Sequence, residues 1–382
     1  MNWLTLRIAY FAKQKDQFLI DGLQPVVNAL HTTPEVARVH LARHWKFGPH
    51  IDVNIGFNCS DDSRCQQIAE HAKADILAYL ARHPSVFDMD EANYLALSEK
   101  LGRLELEPGP YLPLLQDNSV MVAQYDNHQK ILRSPVLSKV KEDFHSLNSG
   151  LLFKLLELKQ QDNNAFLMQL VKMLACVGEF YPLDGIKRGH LSFRSHCEHF
   201  FAHFDEGKSI RAKYSAFDTS LGNDVDSIIR TTRQAFEQQT YFAGSDTFLA
   251  DWVRNLFVLK SKLADAAMLN HDEIKDAEHF YKIADDMFGK DHDGQYDFYK
   301  DNPFFKVFFE TSDTSFFERQ EFVVYRAMVN HFYHMLPMLS VSPVQKHLVC
   351  SLVANSVERV FNVQWEDLLR GKSAAASQGE AA

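Results

Sequence analysis

The sequence predicts an α+β fold: a small antiparallel sheet layer with flanking helices at the N-terminus, followed by a mostly helical region. Three observations lead there. Residues up to about 82 change spacing in the order β-α-β-β-α, which describes helices on one side of an antiparallel sheet. Residues 84–118 carry Pro84, Pro108, Gly109, Pro110 and Pro113, which break regular structure. From about 135 to 370, apolar residues recur at helical spacing. We therefore expect a ferredoxin-like subdomain with a crossover arm over 1–118, a mainly helical subdomain completing the site over 119–371, and a disordered tail over 372–382.

In chain order, residues 3–11 alternate about Thr5 and Arg7 as a strand does, and 15–30 place Phe18, Leu19, Leu23, Val26, Val27 and Leu30 at helical spacing. Val36–Trp45 and His50–Phe57 read as a hairpin turning at 47–49, with Arg38, His40, Asp52 and Asn54 alternating with apolar residues. Residues 62–82 form an amphipathic helix that ends before Pro84, and a short helix fits Glu91–Leu101. Residues 119–126 are a further strand. Helices are expected over 136–158, 163–180, 196–205, 223–241, 246–263, 273–288, 317–337 and 343–371, the last broken near Asn355.

The net charge of −10 argues against non-specific nucleic-acid binding, which depends on neutralising phosphates. Five dispersed cysteines without a CxxC pair speak against a disulfide framework or structural zinc site, and reduced cytoplasmic thiols are the simple reading. No apolar run long enough to span a bilayer occurs, so no membrane is expected, and no signal peptide is read at the N-terminus. Phosphate-binding and dinucleotide glycine motifs and the GxSxG elbow are missing, so no cofactor is expected. The loop beginning Asp291-His-Asp-Gly lacks the closing glutamate of a calcium site.

The densest chemistry lies in Ile186–His203, where arginines, histidines and serines interleave with aromatics. Gly189 and the serines read as a loop feeding a helix, with Ser195 as N-cap and Glu198 closing a capping box, which leaves Arg194 just before the helix. His196, His199 and His203 would then share a helix face. Such a set suits zinc or iron, but a solvated or cleft-facing row is the commoner outcome, and no metal is expected. A histidine beside guanidinium donors, His190 or His196 near Arg188 and Arg194, suits proton transfer next to a carbonyl. The hairpin tip Arg43-His-Trp45-Lys46-Phe-Gly-Pro-His50-Ile-Asp52 has the mixture that lines a ligand cleft. We take Arg43, Trp45, Lys46, Asp52, Arg188 and His190 as candidate substrate-binding residues, and Tyr181 as a hydrogen-bond donor.

Three stretches resemble the C-terminal, elimination-type domain of class I lanthipeptide dehydratases, whose free-standing relatives serve thiopeptide biosynthesis. The opening Trp3-Leu-Thr-Leu-Arg-Ile-Ala-Tyr-Phe is similar to the family's start, and Gly48-Pro-His50-Ile-Asp52-Val is similar to its Pro-His-Leu-Arg-x-Arg strand. Gly189-His-Leu-Ser-Phe-Arg-Ser-His196 looks like the Ser-x-Arg-Ser-His segment of the thiopeptide branch, and the late Tyr325–Leu336, Val341-Ser-Pro343 and Glu358-Arg359 also fit. The resemblance implies catalytic roles for His50, Ser192, Arg194 and His196. Where the dehydratases carry hairpin arginines, this chain has Asp52 and Asn54, which removes donors for a departing glutamate. The ring-forming relatives fit better: they join two dehydroalanines of a precursor peptide by a formal [4+2] cyclisation, with loss of water and leader. Glutamate elimination, with Arg43 and Arg194 as replacement arginines, and non-catalytic peptide binding stay as alternatives. The implied partners are leader and core of a precursor peptide, bound by a phenylalanine-rich groove and a sheet edge, and other enzymes of the same pathway. A homodimer is left open.

Overall fold

A computed structural model describes residues 2–105, 107–127, 134–205, 207–243, 246–269, 302–311 and 319–371. The helix expected over 273–288, the loop from Asp291 and the tail from 372 lie outside the described residues. The described chain forms two compact units. One runs to Gln161 and takes in Pro337–Ser340; the other holds the described residues from Asp162 to Leu336 and from Val341 onward. The units thus divide at 161/162, not at the 118/119 junction read from the proline-rich stretch. Strand pairing explains why, since Ser119–Ala123 adds a strand to the N-terminal sheet.

In the first unit, strands β1 (Asn2–Ala9), β2 (Val36–His44), β3 (His50–Phe57) and β4 (Ser119–Ala123) form one antiparallel sheet in the order β2-β3-β1-β4. This is a split β-α-β arrangement, in which the strand expected over 119–126 joins the three expected before residue 118. Its apolar face comes from Leu6, Ile8, Val39, Leu41, Ile51, Val53, Ile55 and Phe57, all buried. Helices α1 (Gln24–His31) and α2 (Asp62–Arg82) pack on the sheet. Burying one such side chain is worth roughly 1.5–3 kcal/mol, so strand alternation alone fixes which face turns inward. Residues 18–23 wind as a π-helix before Pro25 opens α1, so the single helix expected over 15–30 changes pitch. Helix α3 (Glu91–Glu105) precedes the proline-rich arm. The helix expected over 136–158 is two, α4 (Pro135–Leu147) and α5 (Ser149–Gln161), broken at Asn148, whose side-chain amide caps the Phe144 carbonyl at 2.8 Å.

The second unit is helical throughout its described residues: α6 (Asn163–Gly178), α7 (Ile186–Phe204), α8 (Ser209–Glu237), α9 (Thr247–Leu269), α10 (Pro303–Thr311), α11 (Gln320–Met335), α12 (Pro343–Phe361) and α13 (Trp365–Leu369). Helix α8 begins well before the expected residue 223, because its first turns bury little beyond Tyr214 and Gly222 and so carry a faint apolar stripe. Helix α10 was not expected. The expected break at Asn355 is absent; α12 runs on and ends where Asn362 adopts a left-handed conformation, φ 49°. Among the described residues, no helix is long and apolar enough to cross a membrane.

Candidate functional site

The second face of the sheet is polar, yet much of it is buried. Strand register places Thr5 opposite Asn54, Arg7 opposite Asp52, and His40 opposite Asn54. Thr5 Oγ1 donates to Asn54 Oδ1 at 2.7 Å, and Arg7 grips Asp52 through two bonds of 2.9 Å. His50 is 2% exposed. Its Nδ1 lies 2.9 Å from the Gly48 carbonyl, a contact that assigns the ring proton to Nδ1. Nε2 is buried without a hydrogen-bond partner, 4.0 Å from Asp52 Oδ1. Burial holds the His50 pKa below the ordinary histidine value, against the opposing pull of Asp52. The imidazole is therefore neutral, with an unshared pair on Nε2. Further along this face, Trp3 stacks on Tyr125, whose hydroxyl donates to Glu142 at 3.0 Å.

The other expected hairpin residues divide. Arg43 sits opposite Ile51 in the register, so it projects from the face opposite to Asp52, and it donates to the Pro337 carbonyl at 2.7 Å and Ser340 Oγ at 3.0 Å. Trp45 Nε1 donates to Glu105 at 2.7 Å, while Lys46 is paired with Glu107 and bonds the Pro108 carbonyl at 2.7 Å. With Tyr94 OH accepting from Gly48 N at 2.9 Å, these contacts fasten the tip to α3 and the arm. His50 and Asp52 remain together on the polar face, with Arg7 beside them.

In the second unit, α7 corrects the loop-then-helix reading of 186–203. Ile186, Gly189, His190, Phe193, Cys197, Phe200 and Phe201 are buried in one stripe at helical spacing, and Glu198 is buried beside them. Gly189 is a point of close approach: a Cβ there would meet the Gly178 carbonyl oxygen at 2.6 Å and Tyr325 OH at 3.0 Å. Ser195 caps nothing, since it lies inside the helix, and the N-cap is Gly185 with φ 52°. Glu198 closes no capping box; it pairs with Arg211 through bonds of 3.1 and 2.9 Å.

Three contacts organise the candidate residues along α7. Tyr325 OH donates to the Gly189 carbonyl at 2.8 Å, interacts with Ser192, and meets Tyr181 edge-on with ring centres 5.0 Å apart. Burial raises the Tyr181 phenol to about 12 although the Arg188 charge opposes it, so Tyr181 stays a donor at neutral pH. One turn on, Arg194 donates to Asn355 at 2.8 Å and to Glu358 at 2.7 Å, and His190 Nε2 lies 3.6 Å from the same carboxylate. Burial works to raise the Glu358 pKa, but His190 and Arg194 outweigh it and hold the group below its ordinary value. Last, His196 packs edge-on against Tyr333 at 4.9 Å, and Lys346 lies over the same ring. Burial, helped by Lys346, His347 and His199, lowers His196 to about 3.

The rings of His199 and His203 lie tilted with centres 4.5 Å apart, and among the described residues no group of three or more His, Cys, Asp or Glu is arranged to hold a metal. Sequence reasoning did not select Arg7, Tyr325, Tyr333 or Asn355. The alternation of the first strand carried the signal for Arg7. The other three lie on helices whose sequences read as ordinary core, and only packing brings them to α7.

A polar-faced split β-α-β sheet in one unit, and a second unit that is helical in its described residues and carries Ser192, Arg194 and His196 on α7, define the class. The chain belongs to the family described as the lantibiotic biosynthesis dehydratase C-terminal domain, whose model matches residues 3–357. Among solved structures, it is similar to the pyridine synthase TbtD from thiomuracin biosynthesis at 19% identity and TM-score 0.72, over 95% of this chain and 100% of that one. It is also similar to TsrL, at 14% identity and TM-score 0.69, over 97% of this chain and 99% of that one. Among curated proteins none matches.

Proposed function

We propose that this protein is a tailoring enzyme of ribosomally made peptides that closes a six-membered nitrogen ring. It would join two dehydroalanines of a precursor by a formal [4+2] cyclisation and then lose water and the leader peptide. The observation that carries the reading is the state of the sheet face: positions 52 and 54 hold Asp and Asn, and Arg7 is already closed on both oxygens of Asp52. Expelling a glutamate calls for unengaged cationic donors at the departing carboxylate. Cyclisation asks instead for two ends of one peptide held in contact, which can supply a large part of the barrier by proximity.

The ring-forming step needs an amide to pass to its imidic-acid form. A neutral imidazole does this with one nitrogen, which takes the amide proton on its unshared pair and then gives a proton back to the carbonyl oxygen. His50 and His196, both with pKa values below ordinary histidine, are assigned this work. Tyr181 and Ser192 serve as hydrogen-bond donors and Arg194 as a positioning cation. Leader and core of the precursor are the implied ligands.

The test is incubation with a precursor carrying dehydroalanines, followed by mass measurement. Loss of water and release of the leader are expected, with rates falling about 10²–10⁴-fold in His50→Ala or His196→Ala. An unchanged precursor mass overturns the reading. Family membership favours glutamate elimination as the second reading, and a glutamylated precursor in the same assay distinguishes it by loss of glutamate.

A further inference from the structure

All five cysteines are free thiols, and one of them, Cys59, is not fully buried and has a second thiol as its neighbour. Cys59 Sγ lies 2.9 Å from Cys65 Sγ, within about 0.9 Å of the roughly 2.05 Å of a sulfur–sulfur bond. The pair straddles the start of α2. Asp61 between them is the N-cap, accepting from Arg64 N at 3.1 Å, and Asn58 N is fixed to the Glu35 carbonyl at 3.0 Å. Both sulfurs thus flank a turn that is tied at each end by hydrogen bonds. Access is unequal, with Cys59 half-buried and Cys65 fully buried.

We propose that Cys59 and Cys65 are a reversible oxidation site, forming an intramolecular disulfide at the expense of a small-molecule disulfide such as oxidised glutathione. The accessible Cys59 attacks one sulfur of the oxidant as thiolate, expelling one glutathione thiolate and leaving a mixed disulfide. Cys65 then attacks the Cys59 sulfur and expels the second. Two protein thiols lose an electron pair to the oxidant, and their two protons end on the two glutathione thiols. Burial, then the contact with Cys59, raises the Cys65 thiol to about 12, so the second step is the slow one. The bond pins the end of β3 to the first turn of α2. The remaining cysteines are all buried: Cys197 Sγ contacts the His347 carbonyl at 3.2 Å and hydrogen-bonds with Cys350, Cys350 also meets Tyr333 OH at 3.2 Å, and Cys176 lies in the core.

The full chain is incubated with excess oxidised glutathione, quenched with a maleimide and digested with trypsin without reduction. Cleavage after Arg64 separates the two cysteines, so the bond appears as peptide 47–64 linked to peptide 65–73. Expected are this linked pair, an intact mass lower by about two protons, restoration by dithiothreitol, and a Tm a few degrees higher when oxidised. Cys59→Ser abolishes the link, while Cys197→Ser keeps it. Five maleimide-reactive thiols after treatment, glutathione retained on Cys59 without a link, or a link between Cys197 and Cys350 instead each overturns the proposal.

Discussion

Arg7 and Asp52 face each other across strands β1 and β3, and the guanidinium closes on both carboxylate oxygens at 2.9 Å. Each charge cancels the other on the sheet face that carries His50. With side chains 26% and 14% exposed, the pair is shielded enough to count. A double-mutant cycle with Arg7→Ala and Asp52→Ala, read by urea denaturation, should give a coupling of about 1 kcal/mol. Additive costs would show that the two charges are solvated separately.

Gly189→Ala should destabilise the second unit by about 1–3 kcal/mol, because the added methyl meets backbone oxygen that cannot turn aside. Gly150 in α5 has nothing within 4 Å of its would-be Cβ, and Gly150→Ala should stabilise by about 0.4–1 kcal/mol. Thermal denaturation of both variants checks the contrast.

Acid should unfold the second unit in two stages. His196 and His347, each pushed down to about 3 chiefly by burial, bind fewer protons folded than unfolded between that value and the ordinary histidine pKa of about 6.5. Stability therefore falls as pH drops through this window, with each group adding a slope of about 1.4 kcal/mol per pH unit. His347→Phe keeps the stacking on Phe200, at 4.2 Å, and should flatten the slope of the urea midpoint between pH 6 and 4 by one group's share.

The second stage belongs to Glu358, whose depressed pKa stabilises the fold above the unfolded carboxylate value of about 4.3 and is lost as pH falls through the folded one. Glu358→Gln leaves Arg194 with Asn355 and no anion. It should cost about 1–3 kcal/mol at pH 7 and remove that part of the acid sensitivity below pH 4. An unchanged acid profile would mean that Arg194 and His190 do not stabilise the carboxylate.

The sheet was legible because strand alternation is a local signal: Thr5, Arg7, Asp52 and Asn54 separated themselves from their apolar neighbours by parity alone. Helix α7 was not, because glycine and serine have two readings. Gly189 marks a turn when the backbone needs freedom, and a tight crossing when a neighbouring carbonyl needs room; the sequence shows the residue and not the neighbour. The same holds for Arg43, read as a cleft residue although its parity placed it opposite Ile51 rather than with Asp52.

By itself, the sequence determined the α+β class, the three strands and two helices of the N-terminal layer, which sheet face is polar and the family resemblance, since each follows from residue spacing within one segment. Only the tertiary structure decided that Arg7 neutralises Asp52, that Glu358 and Asn355 hold Arg194, and that Tyr325 seats on the Gly189 carbonyl. Those partners stand far apart along the chain. Their meeting depends on how strands register and helices cross, and a charge or hydroxyl gains its chemistry from whichever group the fold places within about 3 Å.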